Sequence, residues 1–116
     1  MNYPYRIKLS DTDAAGRIYF ASACRIAHES FEVFMDSIGY DLNSLINKKT
    51  FVLPVVHVVA RYEHPLLLGD TIVVDTRVKN ISRKSVSFDH EIIGKDGRMA
   101  AFITITHAVV SKRTAK

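Results

Sequence analysis

Residues 20–39 read FASACRIAHESFEVFMDSIG. Phe20, Cys24, Ala27, Phe31, Phe34 and Ile38 alternate steps of four and three, the spacing of one stripe along an α-helix. Arg25, Glu29, Glu32 and Asp36 fall on the other side. Gly39 follows the last apolar position and is a natural C-terminal stop. The pattern predicts a helix over 20–38. Because the stripe is apolar along its whole length, this helix needs a flat apolar surface to lie on.

The chain supplies that surface next. Residues 51–63, 71–80, 84–94 and 98–111 are rich in Val, Ile, Thr and Phe and read as strands. They are separated by Pro65 to Gly69-Asp70, by Ile81-Ser82-Arg83 and by Gly94-Lys95-Asp96-Gly97. Connections this short force consecutive strands to be antiparallel. Residues 3–9 alternate and predict an earlier strand. The order is therefore β-α-β-β-β-β, an α+β domain with one long helix on an antiparallel sheet of about five strands. In 84–94, Val86, Phe88, His90 and Ile92 share one face, and Ser85, Ser87, Asp89 and Glu91 share the other. A sheet covered on one side only has this pattern.

The 116 residues fit a single domain, 1–116, with 47% apolar residues for a core and 24% charged residues for a surface. A domain this small gains stability from self-association. Cys24 is the only cysteine, which excludes a disulfide within the chain and a cysteine-based zinc site. Met1 to Arg6 is polar where a secretory leader would be apolar, and no apolar run approaches the ~20 residues of a membrane span. The expected compartment is the cytoplasm, with no membrane partner. The net charge of +4 comes with a basic tail, Lys112-Arg113-Thr114-Ala115-Lys116. This is either a solvated tail or the mark of a polyanionic partner. No aromatic residues interleave with the basic ones, so nucleic acid is not expected.

Asp11-Thr12-Asp13-Ala14-Ala15-Gly16 separates the first strand from the helix. One reading is a helix-opening loop, since carboxylates suit the positive helix end. A calcium loop fits poorly, because Ala15 and Ser22 stand where acidic ligands belong. A third reading is catalytic: a carboxylate held beside backbone N–H groups that can polarise a carbonyl.

His28-Glu29-x-x-Glu32 lacks the second histidine of a zinc-protease helix. His57, His64, His90 and His107 are scattered over the strands, where a buried, hydrogen-bonded role is the default expectation. There is no serine elbow, P-loop or dinucleotide fingerprint, so any hydrolysis falls to a carboxylate or a histidine. Ser82-Arg83-Lys84-Ser85 is a basic turn, either a solvated hairpin tip or a grip for phosphates.

The stretch Asp11 to Phe20 resembles the loop-helix signature of the 4-hydroxybenzoyl-CoA thioesterase family of the hotdog superfamily. Leu68-Gly69-Asp70-Thr71 resembles that family's L-G-D turn, and Arg83-Lys84-Ser85 its basic hairpin. Within the family, Tyr19-Phe20, His28-Glu29 and Leu53-Pro54-Val55-Val56-His57 are similar to the branch of 1,4-dihydroxy-2-naphthoyl-CoA hydrolases, which serve quinone synthesis.

The resemblance implies a helix wrapped by a curved sheet. It implies a homodimer with active sites at the subunit interface, commonly paired into a homotetramer. It also implies roles. Asp13 matches the catalytic carboxylate, and Phe20 the residue whose backbone N–H holds the thioester oxygen. Arg83 and Lys84 match the residues that hold the CoA phosphates. Gly16 and Tyr19 belong to substrate binding, with His28 or His57 expected to meet a hydroxyl on an aromatic acyl ring.

The expected reaction is hydrolysis of an acyl-CoA to free acid and CoA, with neither metal nor redox cofactor. Asp13 would act as nucleophile or as general base. The alternatives within the same fold are a 4-hydroxybenzoyl-CoA or short-chain acyl-CoA thioesterase, a dehydratase, or a non-catalytic acyl-binding module.

Overall fold

The computed structural model describes residues 1–18, 20–39 and 51–111, the last range without the side chain of Phe51. Tyr19 and the basic tail Lys112–Lys116 lie outside the described residues.

Strand β1, Asn2–Arg6, is followed by a 3-10 turn at Leu9–Asp11 and by helix α1, Phe20–Ser37. Then come β2 (Phe51–Val52), β3 (Val55–Tyr62), β4 (Thr71–Ile81), β5 (Ser85–Ile93), β6 (Met99–Ala108) and β7 (Val110–Ser111). Five strands form one antiparallel sheet in the order β1-β4-β5-β6-β3, and β2 pairs with β7. The expected hotdog-type architecture is borne out: among the described residues one α-helix packs on a five-stranded antiparallel sheet. No helix among them is long and apolar enough to cross a membrane.

Some boundaries move. The first strand stops at Arg6 rather than residue 9, because the chain turns into the 3-10 helix that carries Asp11. The 51–63 segment breaks around Leu53-Pro54, since proline has no N–H for a ladder. The 98–111 segment breaks at Val109. Register shifts between Val55 and His57 and between Val78 and Asn80 mark bulges, which bend a sheet.

Helix α1 packs against β1, β4, β5 and β6. Its buried residues are Ala23, Ile26, Ala27, Ser30, Phe31 and Met35. The buried stripe is therefore rotated from the expected one. Ala27 and Phe31 stay on it, but Phe20 is 61% exposed and Ile38 51% exposed. The sheet meets the smaller side chains, Ala23 and Ala27, which let the helix approach closely. Gly39 ends the helix at φ +91°, a left-handed value that favours glycine.

The core has two parts. Ile26 and Ala23 of the helix meet Ile7, Leu66, Ile72, Val74, Ile92, Ile103 and Ile105. Nearer the helix C-terminus, Phe31 and Met35 pack on Phe88. Each such side chain stabilises the fold by ~1.5–3 kcal/mol. Within this apolar layer lie four buried polar side chains, Ser30, Thr76, His90 and His107. The expectation of buried histidines holds for His90 and His107 and fails for His57 and His64, which are exposed. His57 sits on β3, the edge strand opposite β1, every residue of which is exposed.

Candidate active site

The loop between β1 and α1 is built by its own hydrogen bonds. The Asp13 N–H donates to the Arg17 carbonyl at 2.8 Å, and the Gly16 N–H donates to the Asp13 carbonyl at 3.0 Å. Gly16 makes the turn at φ +77°, where a side chain would be strained. Asp13 is exposed, and its Oδ1 accepts from the N–H of Ala15 at 2.9 Å and of Arg17 at 3.3 Å. One oxygen is thus held by the backbone. Oδ2 makes no hydrogen bond with the described residues.

The Leu68-Gly69-Asp70 turn, remote in sequence, is sewn to this loop. Ile18 N–H donates to the Leu66 carbonyl at 2.7 Å, and Leu68 N–H to the Gly16 carbonyl at 3.0 Å. Gly69 N–H reaches the Ile7 carbonyl at 2.9 Å, while Asp70 Oδ2 closes its own turn on the Leu67 N–H at 3.1 Å. The result is a cleft of about 330 Å³. Asp13, Arg17, Ile18 and Phe20 line one side, and Tyr62 to Leu66 line the other. Phe20 is the first residue of α1, so the cleft opens at the positive end of the helix.

Asp11 has a different role. It is 1% exposed, and its Oδ2 accepts from the Tyr5 hydroxyl at 2.7 Å and the Lys8 N–H at 2.8 Å. Its Oδ1 pairs with the Arg25 guanidinium, which also reaches Glu29. Burial pushes the Asp11 carboxyl up, but the Lys8 N–H, the Tyr5 hydroxyl and Arg25 outweigh it and hold the group below its ordinary value. Asp11 is thus built into the structure of the loop, while Asp13 faces the cleft.

Asp13 and Phe20 come together in the cleft; among the described residues Gly16, His28, His57, Arg83 and Lys84 do not line it. Gly16 shapes the loop behind Asp13. His28 is exposed farther along α1 and stacks on Phe31 and on buried His107, with ring centroids 5.3 and 5.7 Å away. His57 lines a hollow of about 410 Å³ on the sheet face away from α1, with Arg61, Lys79 and Phe102. Arg83 and Lys84 occupy the exposed β4–β5 turn, where the Ser82 hydroxyl accepts from the Lys84 and Ser85 N–H groups. Among the described residues no group of three or more His, Cys, Asp or Glu side chains could hold a metal ion.

Sequence reasoning missed Tyr62, Glu63 and His64 as cleft residues. The available signal was their place just ahead of the Leu68-Gly69-Asp70 turn, since pairing that turn with the Asp13 loop draws the preceding residues alongside it.

A helix laid across an antiparallel sheet, with a carboxylate loop at the helix N-terminus, defines the hotdog fold of the thioesterases. The chain belongs to the thioesterase-like superfamily, whose family model matches residues 7–116. It is 30% identical over 115 residues to a 1,4-dihydroxy-2-naphthoyl-CoA hydrolase of Rippkaea orientalis, covering 97% of this chain and 83% of that one. Among solved structures it resembles a 1,4-dihydroxy-2-naphthoyl-CoA thioesterase from Synechocystis, with TM-score 0.89 and 27% identity over 96% of this chain and 82% of the other. A gentisyl-coenzyme A thioesterase superposes with the same TM-score of 0.89 at 26% identity, covering 97% of this chain and 90% of that one.

Proposed function

We propose that this protein hydrolyses an acyl-CoA thioester whose acyl group is a hydroxylated aromatic ring, with 1,4-dihydroxy-2-naphthoyl-CoA as the substrate of first choice. The observation that carries the reading is the Asp13 carboxylate, one oxygen held by backbone N–H groups, in a cleft at the N-terminus of α1.

The chemistry follows from that geometry. The thioester carbonyl docks at the first turn of α1, headed by Phe20, where helix N–H groups and the helix dipole stabilise the oxyanion. Asp13 Oδ2 then attacks the carbonyl carbon and expels CoA thiolate, leaving an anhydride that water cleaves. Alternatively, it takes a proton from a water that attacks directly. Both routes use the same oxygen and release free acid and CoA.

The substrates for which the relatives are named, a dihydroxynaphthoyl-CoA and a gentisyl-CoA, support the aromatic assignment. On this chain His28 is the residue we assign to a ring hydroxyl, because it borders the aromatic layer of Phe31 and His107. Arg83 and Lys84 are assigned to the CoA phosphates, and a homodimer is the assembly that unites them with Asp13. The free thiol of Cys24 suits a reducing compartment, and we assign the protein to the cytoplasm.

The test is release of free thiol from 1,4-dihydroxy-2-naphthoyl-CoA, 4-hydroxybenzoyl-CoA, benzoyl-CoA and short aliphatic acyl-CoAs, compared as kcat/KM. The dihydroxynaphthoyl thioester is expected to lead. A site that hydrogen-bonds a ring hydroxyl rejects analogues lacking it by up to ~10⁴-fold. A lead by an aliphatic thioester rejects the aromatic assignment.

A further inference from the structure

We propose that Tyr62 is a positioning residue that ties the two walls of the Asp13 cleft together and so sets the oxyanion site at the head of α1. The inference rests on the thioesterase reading above. Tyr62 is the last residue of β3, on the wall that runs to Leu66. Its hydroxyl donates to the backbone carbonyl of Phe20 on the opposite wall at 3.1 Å.

Nearer the base of the loop the walls are joined by backbone bonds, chiefly Ile18 N–H to the Leu66 carbonyl at 2.7 Å. Tyr62 is the side chain that makes the corresponding link at the helix. Among the described residues of one chain β3 is an edge strand paired with β6, so this bond adds an anchor between its end and α1.

Three features make the link directional. The hydroxyl stays protonated at any working pH, because partial desolvation where it meets α1 and the neighbouring Cys24 sulfur, 3.9 Å away, push it up to about 12. A protonated phenol can donate to a carbonyl, whereas the reverse polarity is unavailable. The bond also polarises the Phe20–Ala21 peptide, whose N–H lies in the first turn of α1, where the helix supplies no internal acceptor. A small displacement here is costly to chemistry, since a misplacement of ~1 Å can lower a rate by ~10²-fold.

Tyr62→Phe removes the hydroxyl and keeps the ring, so packing is preserved. The experiment compares wild type, Tyr62→Phe, Cys24→Ala and Asp13→Asn in steady-state hydrolysis of 1,4-dihydroxy-2-naphthoyl-CoA and 4-hydroxybenzoyl-CoA, with thermal melts of each. The expected result for Tyr62→Phe is a kcat about tenfold lower with KM changed less than about twofold, in a folded protein. Cys24→Ala keeps wild-type kcat. Unchanged kcat in folded Tyr62→Phe overturns the proposal and leaves the thioesterase reading intact, provided Asp13→Asn is inactive. A rise in KM alone overturns it too, by making Tyr62 a substrate contact. An equal fall in Cys24→Ala transfers the effect to the thiol and overturns it as well. A wild type that hydrolyses neither thioester overturns the thioesterase reading and this inference with it.

Discussion

Asp11 and Asp13 stand two residues apart in one loop, yet their surroundings are opposite. Asp13 is solvent-facing with one oxygen that makes no hydrogen bond with the described residues, whereas Asp11 is buried with both oxygens bonded. Asp13→Asn should therefore keep the fold, because the amide oxygen still accepts from Ala15, and should lower kcat by at least ~100-fold. Near-normal turnover in folded Asp13→Asn would remove the residue from the chemistry. Arg25→Met tests the other carboxylate. It strands part of a buried charge, so stability at neutral pH should fall by about 2–3 kcal/mol, read from the urea midpoint. The loop motif made both aspartates legible in the sequence. Arg25 was not: its helical position gave it a polar face, and only the approach of β1 and the loop to α1 shows the guanidinium turned toward Asp11.

At the scale of elements, the strands and the antiparallel run β4-β5-β6 were legible because turn residues and period-two alternation are local signals, whereas the pairing of β1 with β4 and of β3 with β6 joins segments far apart in the chain and left no local signal. The helix face was less so. Cys24 and Phe34 sit near the border of the true stripe, and a count of apolar residues cannot tell a small buried Ala23 from a large exposed Phe20. What lies between helix and sheet was also hidden, because Ser30, Thr76 and His90 look polar in sequence. In the structure the Ser30 and Thr76 hydroxyls touch, and Thr76 Oγ1 is 2.8 Å from His90 Nδ1. His90 Nε2 is buried without a hydrogen-bond partner among the described residues. Burial, and then the nearby His107, push His90 down from 6.5 to about 4. A histidine held neutral in the fold stabilises it fully above the unfolded value. That contribution is lost as pH falls from 6.5 toward 4, where the unfolded chain takes up the proton first. The loss across this window should be roughly 3 kcal/mol. Urea unfolding at pH 7 and pH 4.5 should show it, and His90→Asn should have a flatter pH dependence whatever its absolute stability. An equally steep loss in His90→Asn would assign the acid sensitivity elsewhere.

At the scale of the whole molecule, the basic turn and the carboxylate stand at opposite ends of the sheet. The Asp13 loop is sewn to the start of β4, and Arg83 and Lys84 follow its end. Eleven residues of strand separate those ends by about 30 Å. The exposed edge of β3 offers a way to close that separation in the proposed dimer. Val56 is 59% exposed and Val59 54%, an apolar edge strand of the kind that invites pairing. If β3 pairs with β3 of a second copy about a two-fold axis, the two strands run antiparallel. The Tyr62 end of one then meets the Val55 end of the other. Val55 pairs with His107, which also pairs with Val86, and the Val109 N–H bonds the Lys84 carbonyl, so the basic turn lies at the Val55 end. A dimer built this way presents each Asp13 with the Arg83 and Lys84 of the other copy. The decisive measurement mixes two inactive chains. Asp13→Asn and Arg83→Ala/Lys84→Ala should each hydrolyse acyl-CoA poorly at low substrate concentration. Unfolded and refolded together, half of the dimers should be mixed and one site in each mixed dimer intact, restoring about a quarter of wild-type activity. Sites completed within one chain would gain nothing from mixing, because every site would still carry one lesion. Activity that stays at the average of the two variants would therefore refute the shared site, and light scattering showing a fully active monomer would refute the dimer itself.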